Sequence, residues 1–381
     1  MLTTLDTIPE VARIDRVQTT IVDLPFRRLQ KFARFEARNQ SSLLIRINTS
    51  CGAEGIGEAI VPCGPWWSGD SIEAMQITIE RYLAPALIGQ NPYDIDRLMS
   101  ELGGLVRDNR FAKAGVEMAL MDLVGKLLDV PCQVLLGGMR RDACPVAWPI
   151  ASGDAARDAD EIEAMLASGR ASAFKVKMGA TRIRDDIVRI ERLACAIDGR
   201  AGLRVDPNES WTEIEALGAL SELARIGVEL IEQPLERRAI DASARLAAKS
   251  PVPIMIDEGV QTEADTIEVV RKHAAHLISL KLMKAGGMRA SKRMADIAEA
   301  AGIPLYLGTF LETSLGTAAG LHLGAGVGLL PLGGEIIGPM LLAEDIAANP
   351  VSYRNGAAQL PEGPGLGIEL DEDRVRRFTR A

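Results

Sequence analysis

Positive charge is what this chain has least to spare. Its 381 residues carry 43 Lys and Arg against 52 Asp and Glu, a net charge of -9 at pH 7. A partner with a phosphate backbone or an anionic membrane surface would select a basic face, so both are excluded as expected partners. An acidic protein binds an acidic small molecule only through local cations or a metal. An apolar leader is also missing: MLTTLDTIPEVARIDRV places Asp6, Glu10 and Asp15 close together and reads as neither signal peptide nor membrane anchor. The five cysteines, Cys51, Cys63, Cys132, Cys144 and Cys195, are odd in number and scattered, with no CxxC pair. That spacing suits buried or idle thiols in a reduced cytoplasm better than a disulfide framework or a zinc site. A dinucleotide fingerprint is lacking too. Gly324-Ala325-Gly326-Val327-Gly328 follows a helical run instead of opening one after a strand, and is expected to be a plain loop.

What is present is an ordinary apolar content, 47% hydrophobic and 25% charged residues, over a length that suits a large barrel with a smaller companion. Strand-like stretches come first (Ile14–Asp23, Ser42–Asn48, Gly55–Val61). Helix-like stretches follow (Ser71–Leu87, Tyr93–Leu102, Ala112–Leu128). Strands and helices in separate blocks predict an α+β unit. From about Pro145 the pattern alternates. Short apolar runs (VAWPIA, AFKVKMG, GLRVD, VELIE, VPIMID, LISLKL, PLYLG, GEII) are separated by amphipathic windows such as Arg182–Ala196, Thr212–Ile226, Glu263–His273 and Met288–Ala301. Eight such strands predict a closed parallel β/α barrel. An open doubly wound sheet is the rival and would need fewer strands or a glycine fingerprint. The expected division is an α+β capping domain over 1–140, completed by 347–381, and a catalytic barrel over 141–346.

Apolar barrel strands should not end in charge, yet five of these do: at Lys177 (with Lys175), Asp206, Glu232, Asp257 and Lys281. Between positions 177, 206, 232, 257 and 281 the steps are 29, 26, 25 and 24 residues, one β/α unit each. The side chains therefore recur at one end of successive strands, and the C-terminal rim is where barrels place chemistry. Asp206, Glu232 and Asp257 together would repel unless a cation neutralised them. An oxygen-only set suits Mg²⁺ or Mn²⁺. Strand caps or simple ion pairs are the alternative for any one of them, but not for the ordered set. Lysines flank the carboxylates on both sides. Removing or adding a proton next to a carboxylate passes through an enolate, which a divalent cation stabilises. Lys175 and Lys177 lie two apart on one strand and share a face, so Lys175 is placed to depress Lys177 and to meet a substrate carboxylate.

These strands, FKVKMG, LRVDPNESW, LIEQP, IMIDEG and SLKLMKAGG, resemble the signature strands of the enolase superfamily, and within it the muconate-lactonizing subgroup. The likeness extends over nearly the whole chain, through GIGEAIVPCGPWWSGDS, RFAKAGVEMALMD, YLGTFLETSLGTAAGLHLG and LPEGPGLGIELDED. It implies an enolase-type barrel with metal ligands Asp206, Glu232 and Asp257 and acid/base lysines Lys177 and Lys281. Lys175 and Asn208 would support the site, and Glu312 would border the bound carboxylate beside Gly308, Thr309 and Thr313. A seventh-strand histidine, the mark of mandelate-racemase-like members, is absent from PLYLGT. His273, His276 and His322 lie in HAAH and an apolar helical run and are expected to be structural. An Asp-x-Asp pair typical of dipeptide epimerases is absent from GGEIIGP.

The implied activity is interconversion of cis,cis-muconate and muconolactone, with Lys177 giving the proton and a homo-oligomeric state usual for the family. A racemase or epimerase of an amino-acid derivative is the second reading. A non-catalytic sensor would have lost at least one of the six charged groups. In the capping unit, Phe26–Arg34 (FRRLQKFAR) is a basic lid candidate with Arg28 and Lys31 placed for a distal carboxylate, or else a solvated loop. Trp66 and Trp67 either wall the pocket or pack cap against barrel. Three departures bear on the substrate: Arg28-Leu29-Gln30-Lys31 replaces Arg-Pro-His-Lys, Thr313 stands where cycloisomerases have glycine, and Pro207 and Glu209 alter Asp-Val-Asn-Gln.

Overall fold

A computed structural model describes residues 12–31 and 36–380. Residues 1–11, with Asp6 and Glu10, and Arg34 of the lid candidate lie outside the described residues, as does the side chain of Lys31.

The first strand-like stretches are longer than their apolar runs suggest. β1 (Ile14–Lys31) and β2 (Glu36–Thr49) form one antiparallel ribbon that reaches Lys31 opposite Glu36, with an irregularity between Pro25 and Gln30. The described part of the basic lid candidate, Phe26–Lys31, is therefore strand. Backbone pairing carried Phe26–Lys31 into the strand although its side chains have no strand-like alternation. β3 (Glu54–Ile60) completes the sheet on the other edge of β2. The almost wholly buried helix Arg110–Leu127 packs against it.

After β4 (Ala143–Pro145) come seven parallel strands in strict sequence order: β5 (Ala147–Ile150), β6 (Ala173–Lys177), β7 (Gly202–Asp206), β8 (Leu230–Glu232), β9 (Ile254–Ile256), β10 (Leu277–Leu280) and β11 (Leu305–Leu307). Some of the helices between them begin at polar side-chain caps, others at residues with no side-chain cap. Thr212 and Thr262 each close a capping box, with Glu215 and Asp265 respectively. The glycine stretch at 324–328 differs from a plain loop: helix Ser314–Gly326 runs on through its first half.

The eighth run, GEII, forms no strand. Gly334 instead bridges both edges of the sheet, pairing with Val146 on one side and Leu307 on the other. Ala147 N donates to Gly334 O (2.8 Å) and Glu335 N to Leu307 O (2.7 Å), so one residue closes the ring. A β-carbon at 334 would stand 2.5 Å from Leu307 O, which is why the closing residue is glycine. Pro331, without a donor, and Gly333, at φ +64°, interrupt any longer run.

β12 (Tyr353–Arg354) and β13 (Ala357–Gln359) pair back onto β4. The last residues then lie on the N-terminal unit: Cys132 N donates to Gly365 O (2.7 Å), Leu366 N to Asp122 Oδ1 (2.8 Å), and Arg380 grips both oxygens of Asp23 at 2.7 Å. All five cysteines are free thiols. The histidines sit apart from the strand-end charges: His322 is buried between Gln133 and Leu366 O, His276 accepts from Ile254 N, and His273 ends a helix. No helix among the described residues is long and apolar enough to cross a membrane.

Candidate active site

The register of the sheet sets Lys177 on β6 directly beside Asp206 on β7. Lys177 Nζ donates to Asp206 Oδ2 at 2.5 Å and to Asn208 Oδ1 at 3.0 Å. Two residues earlier Lys175 points the same way from deeper in the barrel. Its ammonium is fully buried and meets Glu232 Oε2 at 2.7 Å, Asp206 Oδ2 at 3.5 Å and a carboxylate oxygen of Glu335. At the other end of the row Lys281 Nζ donates to Asp257 Oδ2 (2.5 Å), and Lys284 donates to Asp257 Oδ1 (2.7 Å) and to its backbone carbonyl (2.6 Å). The predicted set is thus brought together at the C-terminal rim of β6 to β10, three carboxylates in a row with lysines at both ends.

Burial decides most of the electrostatics. It pushes Glu232 up to about 7, with Asp206 and Asp257 adding repulsion against the help of Lys175. Burial also works against Asp206 and Asp257, but the lysines win: Lys177 and Lys175 hold Asp206 below the ordinary carboxylate range, and Lys281 and Lys284 hold Asp257 below it. The reverse applies to Lys281, whose burial is outweighed by Asp257 and Glu232, so its ammonium form is favoured. Lys175 is likewise held as an ammonium, despite burial, by Glu232 and Glu335. Its side chain is committed to carboxylates, which differs from a lysine waiting for substrate.

As the side chains lie, Asp206, Glu232 and Asp257 each contact a lysine, and among the described residues no three His, Cys, Asp or Glu groups are arranged as an ion-binding set. The donor chemistry nevertheless suits a hard divalent cation, with carboxylates from three adjacent strand ends and nothing softer. Beside them Glu258 is buried with Oε2 lacking a hydrogen-bond partner among the described residues, while burial, then Asp257 and Asp206, push its carboxyl up to about 8. Carboxyl groups packed this closely repel one another, and a cation added among Asp206, Glu232 and Asp257 would relieve that repulsion.

The remaining predicted residues divide. Gly308 lies against Lys281. Trp67 is buried beneath Lys281, whose ammonium is 5.6 Å from the indole centroid and 4.8 Å from that of Phe310; the two rings meet edge-on at 4.6 Å. Trp66 is 46% exposed and donates its indole N–H to Pro62 O, away from the cluster. Glu312 accepts from Thr309 Oγ1 and from Phe310 N (2.9 Å), and none of the charged strand-end groups bonds to it. Glu335, in the eighth run, is the carboxylate that joins Lys175. Thr313 is wholly buried and its hydroxyl donates to Glu58 Oε2 of the N-terminal α+β unit (2.7 Å). Arg28 is held 2.6 Å from Glu161 Oε2 above the Trp148 ring. Lys284, Glu335 and Glu258 were missed from sequence. The strand-end rule applied to GEII would have found Glu335.

Comparison with known proteins follows the same division. Residues 16–137 match the family described as mandelate racemase / muconate lactonizing enzyme, N-terminal domain, and residues 157–374 match Enolase C-terminal domain-like. A chloromuconate cycloisomerase of Cupriavidus pinatubonensis is 55% identical over 95% of this chain and 97% of its own. Muconate cycloisomerase 1 of Rhodococcus opacus is 41% identical over 96% of this chain and 98% of its own. The crystal structure of muconate lactonizing enzyme from Pseudomonas fluorescens complexed with muconolactone superposes with a TM-score of 0.95 at 42% identity, covering 97% of this chain and all of that one.

Proposed function

The chain belongs to the muconate-lactonizing group of the enolase superfamily, and from that premise we propose that it is a muconate cycloisomerase acting on cis,cis-muconate or its chlorinated analogues. The observation that carries this is the row of three carboxylates flanked by lysines on the barrel rim in a chain 55% identical to a chloromuconate cycloisomerase. A carboxylate oxygen of the substrate adds across the far double bond, the displaced electron pair moves towards the other carboxylate, and its α-carbon takes a proton. The family works with a divalent cation; Mg²⁺ or Mn²⁺ on Asp206, Glu232 and Asp257 would supply stabilisation of the charge that gathers on that carboxylate. Lys177, partly exposed at the rim, gives the proton; Lys281 holds positive charge on the opposite side, its ammonium kept dry by Trp67 and Phe310. Lys175 offsets Glu232 and Glu335 beneath them. Arg28 supplies a cation for the distal carboxylate, with Lys31 in support.

In this reading residues 1–140 and 347–381 cap the barrel 141–346, and the enzyme works as a cytoplasmic homo-oligomer. Lysines at both ends of the carboxylate row support a second reading, a two-base racemase or epimerase of an amino-acid derivative. The test is loss of the ultraviolet absorbance of muconate or a chloromuconate on adding enzyme with Mn²⁺, its suppression by chelator, and its disappearance in Lys177→Ala. Stable absorbance, with solvent deuterium entering an N-acyl amino acid at both faces, would replace this function by the second.

A further inference from the structure

Lys177 does not hold its position alone. Its second bond goes to the side-chain oxygen of Asn208 (3.0 Å), and the amide nitrogen of Asn208 donates to Glu258 Oε1 (3.0 Å). An ammonium offers only donors, so it requires the oxygen end of the amide; a carboxylate oxygen requires the nitrogen end. With Lys177 on one side and Glu258 on the other, only one of the two amide orientations is satisfied.

The backbone that carries Asn208 is set with equal care. Asn208 and Glu209 are consecutive residues at positive φ, +45° and +64°, a conformation that asparagine tolerates and glutamate does not favour. Asp206 Oδ1 accepts from Asn208 N (2.9 Å), Glu209 N donates to Gln233 O (2.8 Å), and Arg237 clamps both oxygens of Glu209 (2.9 and 2.7 Å). The strained turn is thus pinned on both sides of Asn208, and its amide lies between β6 and the residue after Asp257.

We infer that Glu258 is a positioning residue: through the Asn208 amide it fixes where the Lys177 ammonium points. The inference rests on Lys177 as proton donor. Glu258 uses one oxygen for this task, since Oε2 has no partner among the described residues, so an uncharged carbonyl in the same place should serve. Glutamine at 258 keeps an acceptor for Asn208; leucine of similar size does not.

The experiment compares steady-state kinetics on muconate with Mn²⁺ for Glu258→Gln, Glu258→Leu, Asn208→Ala, the Glu258→Leu/Asn208→Ala double variant and Lys177→Ala. Misplacing the donor should lower kcat in Glu258→Leu by on the order of tenfold to a hundredfold, with KM and the Mn²⁺ activation constant within about twofold. Glu258→Gln should stay within about threefold of wild type, and the double variant should be no slower than Asn208→Ala, because a broken relay cannot be broken twice. Glu258→Gln falling as far as Glu258→Leu would make the carboxylate charge the active feature and overturn the relay. So would losses that multiply, or a change confined to KM or to Mn²⁺. Should Glu258→Leu not fold, Asn208→Asp at the exposed position carries the test. It keeps an acceptor for Lys177 but removes the donor to Glu258, so the relay requires a loss as deep as in Asn208→Ala, and near-normal turnover rejects it. Lys177→Ala separates the two levels: retained turnover removes the proton-donor assignment and the relay with it, whereas an inactive Lys177→Ala with multiplying losses removes the relay alone.

Discussion

Gly308 and Lys281 compete for one volume: a β-carbon on residue 308 would lie 2.5 Å from Lys281 Cε and 2.6 Å from its Cγ. The backbone of Gly308 is tied by its N–H to Leu280 O at 2.8 Å, so the strand cannot give way easily. What yields is the lysine stem, and its ammonium leaves Asp257 Oδ2. Gly308→Ala should therefore lower kcat by on the order of tenfold to a hundredfold while the protein stays folded, because a displacement of about 1 Å at a reacting group is costly in rate. Paired kinetics and thermal melts check this. Wild-type kcat in the folded variant would mean that Lys281 has room to spare.

Arg28 links the end of the β1–β2 ribbon to the helix Ala155–Ser168 through Glu161, which also accepts from Trp148 Nε1 at 2.6 Å. The arginine side chain is 35% exposed, and a pair this wet contributes about 0–1 kcal/mol to stability. If Arg28 meets the distal carboxylate, Arg28→Ala should raise KM about tenfold, equivalent to about 1.4 kcal/mol, with kcat within about twofold. An unchanged KM with a lowered melting temperature would make it only a strut between ribbon and barrel.

The barrel and its rim were legible because both are periodic. A charge at the end of each apolar run, one β/α unit apart, fixes side, order and neighbours together. Lys284 escaped this rule because it lies on the short helix Leu282–Ala285, past the end of the strand pattern. Glu258 escaped because strand alternation would turn it away from Asp257, yet β9 ends at Ile256 and the alternation ends with it. Contacts between the capping unit and the barrel left no local trace: Glu58 and Thr313 are 255 residues apart. Glu312 was weighted by resemblance, while Glu335 reaches Lys175 from a run that forms only a bridge.

Glu117 shows how such a distant contact responds to pH. This buried carboxylate of the capping unit accepts Arg289 N (3.2 and 3.3 Å) at the start of the barrel helix Met288–Ala300. Burial pushes it from the ordinary 4.5 up to about 7, although Arg289 and Met288 backbone N–H groups favour the charged form. A folded-state value above the unfolded one means that the folded protein holds the proton more tightly. Between pH 4.5 and about 7 stability contributed by this group falls as pH rises, then levels off above 7, with a ceiling of about 3 kcal/mol. Glu117→Gln keeps an acceptor and removes the titration. Wild-type stability measured against the variant should drop between pH 5 and 7.5; a constant difference would show that Glu117 is ionised throughout.

Thr313 stands where the resemblance expects glycine, and the sequence reading set it beside the bound carboxylate, where its extra atoms would meet the substrate. The structure turns the side chain the other way. Its hydroxyl donates to Glu58 Oε2 (2.7 Å) and receives Leu315 N (3.2 Å), while its backbone N–H also points at Glu58 (3.1 and 3.2 Å). Thr313 is therefore the N-cap of helix Ser314–Gly326 and a tie from barrel to capping strand β3. In Thr313→Gly the backbone contacts can persist, and Ser42 Oγ and Gly316 N still serve Glu58 at 2.7 and 2.8 Å. What goes is one hydrogen bond to a buried carboxylate, about 1.5–3 kcal/mol, together with a few tenths for the cap. The variant should melt lower by that amount and keep the ratio of kcat/KM between muconate and chloromuconates within about twofold. A selective gain on muconate at unchanged stability would return Thr313 to the substrate pocket, because removing a methyl from a lining residue alters discrimination by about 1–3 kcal/mol without loosening the fold.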